Sequence, residues 1–231
     1  VENISDEQVE DCVGIMTRDY RKLNADASTV KAEFLPIVAD SHIEFRLARK
    51  DTSGNCTNGI TRTFSTVTFG GDGSDRINAV QNEHGNWPGT RYLNVFVAAD
   101  IGGAAGYTYR PAWGGTGMGN GIHVLHTYVG SIGTSTVQRS RTMTHEVGHW
   151  LNLRHIWGDA TCGNDFVEDT PQHNTSNGGC PAYPHYSTCS GTPVEMTMNY
   201  MDYVDDACMY MFTLGQENRM RAYYNEIVSQ F

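Results

Sequence analysis

His145-Glu146-Val147-Gly148-His149-Trp150-Leu151-Asn152-Leu153-Arg154-His155 is the stretch on which the reading of this 231-residue chain turns. On an α-helix, residues four apart stand about 40° apart in azimuth and about 6 Å apart along the axis. His145 and His149 so spaced can reach one metal ion. Glu146 falls on the adjoining face. It is too near in sequence for a comfortable third ligand, but well placed to act as general base on a water at the metal.

His155 needs a separate argument. Six more helical residues would carry it about 240° round and about 9 Å away from His149. It joins the same metal only if the helix stops just after His149 and the chain turns back. Asn152 is the residue that must turn, and asparagine is second only to glycine in tolerating the left-handed conformation. Three neutral imidazoles leave a coordination position open, which marks a catalytic rather than a structural zinc site. Two other readings stay open on these residues. One is a catalytically idle, zinc-stabilised binding module, against which Glu146 speaks. The other takes a downstream glutamate as third ligand in place of His155.

Composition narrows the class. The 16 Lys and Arg against 26 Asp and Glu give a net charge of −10. Nucleic-acid and anionic-membrane binders rely on basic patches, so neither is expected as a partner. No apolar run approaches the roughly 18 residues that membrane insertion requires. The cysteines Cys12, Cys56, Cys162, Cys180, Cys189 and Cys208 are even in number. They read as disulfides in an oxidising compartment, with buried free thiols as the alternative. Lacking a signal-like start, the chain reads as a processed, secreted form.

Outward from the histidine stretch, 135–151 reads as a long helix and 5–23 as another, the latter opened by a Ser5 and Gln8 capping box. A short helical piece is expected near 29–35. Alternation of Ile43, Phe45 and Leu47 with Glu44 and Arg46 predicts a strand. Further strands are expected at 60–66, 91–98 and 122–128. Glycines between Gly102 and Gly121 mark turns and close backbone approaches, with no phosphate-loop signature. Residues 156–198 read as one long loop, which is normally functional or held by crosslinks and ions. A last helix begins at Leu214 behind a Thr213 and Gln216 capping box. The order describes an α+β or α/β protein.

His145, Glu146, His149 and His155 fall in register with the metzincin pattern H-E-x-x-H-x-x-G-x-x-H, with Asn152 in place of the glycine. Asn199-Tyr200-Met201-Asp202-Tyr203 resembles the Met-turn of that group. Together with Arg91–Val95, Asp205–Cys208 and Phe212–Gln216, these residues resemble the pappalysin family of metzincins. The resemblance implies a metzincin fold with an α/β-type upper subdomain (1–151), holding a twisted mixed sheet and two long helices. An irregular lower subdomain (152–231) would end in a helix.

It also implies an activity: a secreted zinc endopeptidase acting on extracellular proteins or peptides, with Arg or Lys preferred just after the scissile bond. His145, His149 and His155 would bind zinc, Glu146 would activate water, Met201 would floor the metal and Tyr203 would support the oxyanion. Asp205 or Asp206 would supply an acidic substrate pocket, and Asp159, Asp165, the Val167 carbonyl and Thr170 would bind a structural calcium. The family pattern further suggests the disulfides Cys162–Cys189 and Cys180–Cys208, which leaves Cys12 to pair with Cys56.

Overall fold

The computed structural model describes residues 3–66, 73–89, 91–111 and 121–228. It is an α+β arrangement of helices α1 (Asp6–Tyr20), α2 (Gly73–His84), α3 (Thr142–Trp150) and α4 (Leu214–Val228) with strands β1 (Val95–Ala98), β2 (Gly106–Thr108) and β3 (Ile122–Leu125). The sheet is mixed, in the order β1-β3-β2. β1 runs parallel to β3 and β2 antiparallel to it, which leaves β2 on the edge.

α3 is the central element, and every residue of it is buried. Ile122 and Val124 of β3 are fully buried and join Met143 and Val147 of α3 in one core. α1 packs from another side, where the Tyr20 hydroxyl donates to the Thr144 carbonyl at 3.1 Å and the Thr144 hydroxyl to Asp19 Oδ2 at 2.8 Å. Tyr20 also packs between Phe45 and Phe212, at 5.1 and 4.8 Å between ring centroids. The site-bearing helix is therefore clamped from both sides by apolar surface and by satisfied polar contacts.

Several local expectations shift. Ser5 caps α1 by accepting from Gln8 N at 3.2 Å. The Gln8 side chain does not close the box; it bonds instead to the Val129 carbonyl and the Thr134 amide. Around α4 the box closes in full: Gln216 N donates to Thr213 Oγ1 at 3.1 Å, and Thr213 N to Gln216 Oε1 at 3.0 Å. The predicted strand at 43–47 keeps its alternation of exposure but has no partner strand among the described residues. Thr17 of α1 takes that role, since its hydroxyl both accepts from Phe45 N and donates to Phe45 O. No strand forms over 60–66, and the strand expected at 91–98 is confined to β1. The helical piece near 29–35 resolves into two short 3-10 turns, Ala25–Thr29 and Leu35–Ile37. The long helix expected over 135–151 starts only at Thr142, after a 3-10 turn at Val137–Arg139. Residues 112–120 of the glycine-rich run lie outside the described residues.

Disulfides Cys162–Cys189 and Cys180–Cys208 staple the long loop, with Cα separations of 5.6 and 5.7 Å. The third expected pair is corrected: Cys12 and Cys56 are both free. Cys12 faces the core from α1 and Cys56 lies on the surface beside an isolated bridge to Lys50.

Candidate active site

α3 ends as its sequence demands. Asn152 adopts φ +74. Its amide donates to the His149 carbonyl at 2.9 Å, and Leu153 N donates to the Gly148 carbonyl at 2.8 Å. That pair of bonds is the Schellman termination, here with asparagine in the left-handed position. Arg219 of α4 locks the turn by donating to the Asn152 carbonyl at 2.7 Å. The chain then doubles back and brings His155 beside His149.

The three imidazoles converge. One ring nitrogen from each of His145, His149 and His155 lies within 4.8 Å of the others, and Nε2 of His149 is 3.0 Å from Nε2 of His155. Every outer nitrogen faces an acceptor. His145 Nδ1 donates to the Tyr200 carbonyl at 2.6 Å, His149 Nδ1 to the Leu153 carbonyl at 2.9 Å and His155 Nδ1 to Asp159 Oδ1. Carbonyls and carboxylates only accept, so each Nδ1 carries the ring proton and each Nε2 points a bare lone pair inward. Burial holds His145 down at about 4 and His155 at about 2, and pushes His149 well below its ordinary value, which keeps the rings neutral. Lone pairs so crowded, with no proton between them, fit a cation held by three nitrogens.

Glu146 is buried beside this cluster, and burial pushes its carboxyl up to about 8. β2 crosses directly over it. A Cβ on Gly106 would stand 2.7 Å from Glu146 Cγ and 2.9 Å from Oε1, so only glycine permits the approach. Met201 lies under the helix: a Cβ on Gly148 would fall 2.5 Å from its sulfur. Asn199 accepts from Met201 N and exchanges hydrogen bonds with Gln216, which ties this turn to the cap of α4. Tyr203 is exposed to the cleft, with its ring 4.7 Å from that of His155 and 5.6 Å from that of His145. The cleft, of about 180 Å³, is lined by Gly106, Tyr107, Thr108, Tyr109 and Arg110 on one side. Glu146, His149, His155, Asp159 and Tyr203 complete the wall.

A family model described as pregnancy-associated plasma protein-A, the pappalysin peptidases, matches residues 75–225. The chain belongs to this family. Curated relatives agree with the assignment. Extracellular metalloprotease 1 of Coccidioides posadasii is 37% identical over 139 residues, covering 58% of this chain and 50% of that protein. An extracellular metalloprotease of Verticillium alfalfae is 38% identical over 144 residues, covering 59% and 51%. This pappalysin chain thus spans about half the length of the curated relatives it matches. Among solved structures, mature mirolysin of Tannerella forsythia in complex with a cleaved peptide superposes with a TM-score of 0.84 at 41% identity, covering 95% of this chain and 84% of that one. Mirolysin in complex with a compound superposes at 0.86, with 41% identity and 95% and 85% coverage. The fold is the metzincin fold.

Other expected residues of this pappalysin chain distribute unevenly. Asp165 is buried and accepts from Val167 N and the Thr170 hydroxyl, and that hydroxyl stands 2.9 Å from the Val167 carbonyl. Asp165, Val167 and Thr170 therefore gather their oxygens in one turn. Asp159 turns its two carboxylate oxygens to His155 and to Arg110 (3.2 Å), which places it behind His155. Asp206 is buried, and its Oδ2 accepts from the amides of Arg141 and Thr142 at 2.6 and 2.8 Å at the start of α3. Asp205 is exposed. Gly106, Tyr107 and Arg110 are cleft residues that sequence reasoning did not single out; the glycine richness of their stretch was the only signal.

Proposed function

We propose that the chain is a secreted zinc endopeptidase. The observation that carries this reading is the convergence of three bare Nε2 lone pairs beside a buried carboxylate at the floor of an open cleft. His145, His149 and His155 would hold the zinc, and Met201 would floor it. When bound, zinc supplies Lewis acidity to the scissile carbonyl and acidifies water.

The chain's own groups do the rest. Glu146, as carboxylate, accepts a proton from the attacking water and returns it to the leaving amine nitrogen. Its burial favours that return, because a dry carboxylate binds a proton readily. Tyr203, on the opposite lip, offers its hydroxyl to the oxyanion of the tetrahedral intermediate. Among the described residues β2 is an edge strand, and it lines the cleft, which suits an extended protein or peptide substrate adding to it. The site would lie between an upper subdomain (1–151), which supplies β2 and Glu146, and a lower one (152–231), which supplies His155 and Tyr203.

A preference for Arg or Lys just after the cleaved bond belongs to the same reading. Of the two candidates, Asp206 is the better placed: it is buried, and its Oδ2 alone is committed to the α3 amides. A buried carboxylate that recognises a guanidinium rejects substrates lacking one. Calcium is proposed as a structural ion at Asp165, the Val167 carbonyl and Thr170. The donors are hard oxygens, and burial pushes the Asp165 carboxyl up to about 6. Two disulfides and the similarity to extracellular metalloproteases support secretion.

Cleavage of a peptide library with and without a zinc chelator tests the proposal. Hydrolysis should stop on chelation, return with added zinc, and place basic residues after the cut. Chelator-resistant cleavage, or none at all by the zinc-loaded chain, would overturn it.

A further inference from the structure

The three rings are not equally anchored. His145 and His149 donate their outer protons to main-chain carbonyls of Tyr200 and Leu153, acceptors fixed by buried backbone. His155 alone relies on a side chain, the carboxylate of Asp159. It also lies past the end of α3, in irregular chain. A carboxylate on two rotatable bonds orients a ring only as well as it is itself held.

Two features hold Asp159. Gly158 and Asp159 are consecutive left-handed residues (φ +66 and +63), which turns the carboxylate back towards the ring four residues earlier. The far oxygen, Oδ2, accepts from Arg110 Nη2 at 3.2 Å. Arg110 follows β2 on the opposite wall of the cleft, and its side chain is only 9% exposed. Burial, and then the nearby Arg154 and Arg219, disfavour the charge of Arg110, and Asp159 offsets part of that cost.

We propose that Arg110 is a positioning residue of the metal centre. It acts through Asp159 on His155, so that the grip of the third ligand depends on the wall that carries β2. This inference rests on the zinc reading above. A guanidinium on Oδ2 fixes the carboxylate plane and draws charge from Oδ1, which sets both the direction and the basicity of the histidine behind it.

The test is the rate at which zinc passes to an excess of a chromogenic chelator. It is measured on the parent chain, Arg110→Ala, Arg110→Lys, Asp159→Asn and the Arg110→Ala/Asp159→Asn double variant, with thermal midpoints recorded beside it. Arg110→Ala should release zinc about tenfold faster, within the range typical of groups that orient metal ligands. Arg110→Lys should restore most of the difference, Asp159→Asn should release at least as fast as Arg110→Ala, and the double variant no faster than Asp159→Asn alone. The visible spectrum of the cobalt-substituted chain should change in Arg110→Ala. A merely structural clamp between the walls would lower the midpoint while leaving release and spectrum at parent values; that result, or full additivity in the double variant, overturns the proposal. A parent chain that takes up no zinc would overturn the functional reading itself, and this inference with it.

Discussion

The sulfur of Met201 occupies the space that a side chain at Gly148 would need, 2.5 Å from where its Cβ would stand. The glycine in α3 just before the second ligand, His149, is therefore a packing requirement. Gly148→Ala should cost about 1–3 kcal/mol of stability, the usual price of overpacking a filled core. Urea unfolding checks this, and a variant as stable as the parent would mean that Met201 does not press on the helix.

The turn after α3 makes a second test. Asn152 is held at φ +74. Asn152→Gly should be near neutral, whereas Asn152→Ala should lose about 1 kcal/mol because alanine pays for the left-handed conformation in full. Equal midpoints for the two variants would contradict the termination described here.

Thiol chemistry separates the cysteines. With no reductant, one thiol, Cys56, should react with a disulfide reagent in the native protein, and Cys12 only after unfolding. Burial pushes the Cys12 thiol up to about 12, far from the reactive thiolate. Failure to detect either thiol would restore the Cys12–Cys56 disulfide.

A fourth prediction concerns pH. Asp202, next to Met201, is fully buried. It accepts from the amides of Asn177 and Tyr203, and burial raises its carboxyl from 3.8 to about 6. A carboxyl with a raised folded-state pKa binds protons better folded than unfolded. Its stabilising contribution is complete below about pH 4 and is lost as pH rises through 6. Asp202→Asn lacks this loss, so its stability relative to the parent should improve by up to about 3 kcal/mol between pH 4 and pH 7. Denaturant midpoints of both proteins across that range give the difference; a flat or falling difference would refute it.

What could be read without coordinates follows from how local the cause is. The α3 ending, the Ser5 cap of α1, the closed capping box of α4 and the meeting of His145, His149 and His155 depend on residues within a few positions of each other, and all were visible in the spacing. The alternation at Ile43, Phe45 and Leu47 was also visible, but it records burial on one side, not pairing. A hydroxyl from Thr17, remote in sequence, completes that segment where a strand was expected. Asp159 sat in an acidic stretch that suggested calcium, and only the tertiary approach of Arg110 assigns it to His155. α2 lies where no periodicity announced a helix.

The most direct measurement of the central claim compares the parent with Glu146→Gln at known zinc content, using an arginine-containing peptide. Both chains should bind one zinc ion, since Glu146 is not among the three ligands. The variant should lose about 10²–10⁴-fold in kcat, as expected for removal of a general base. A zinc-replete variant that cleaves at the parent's rate would contradict the account.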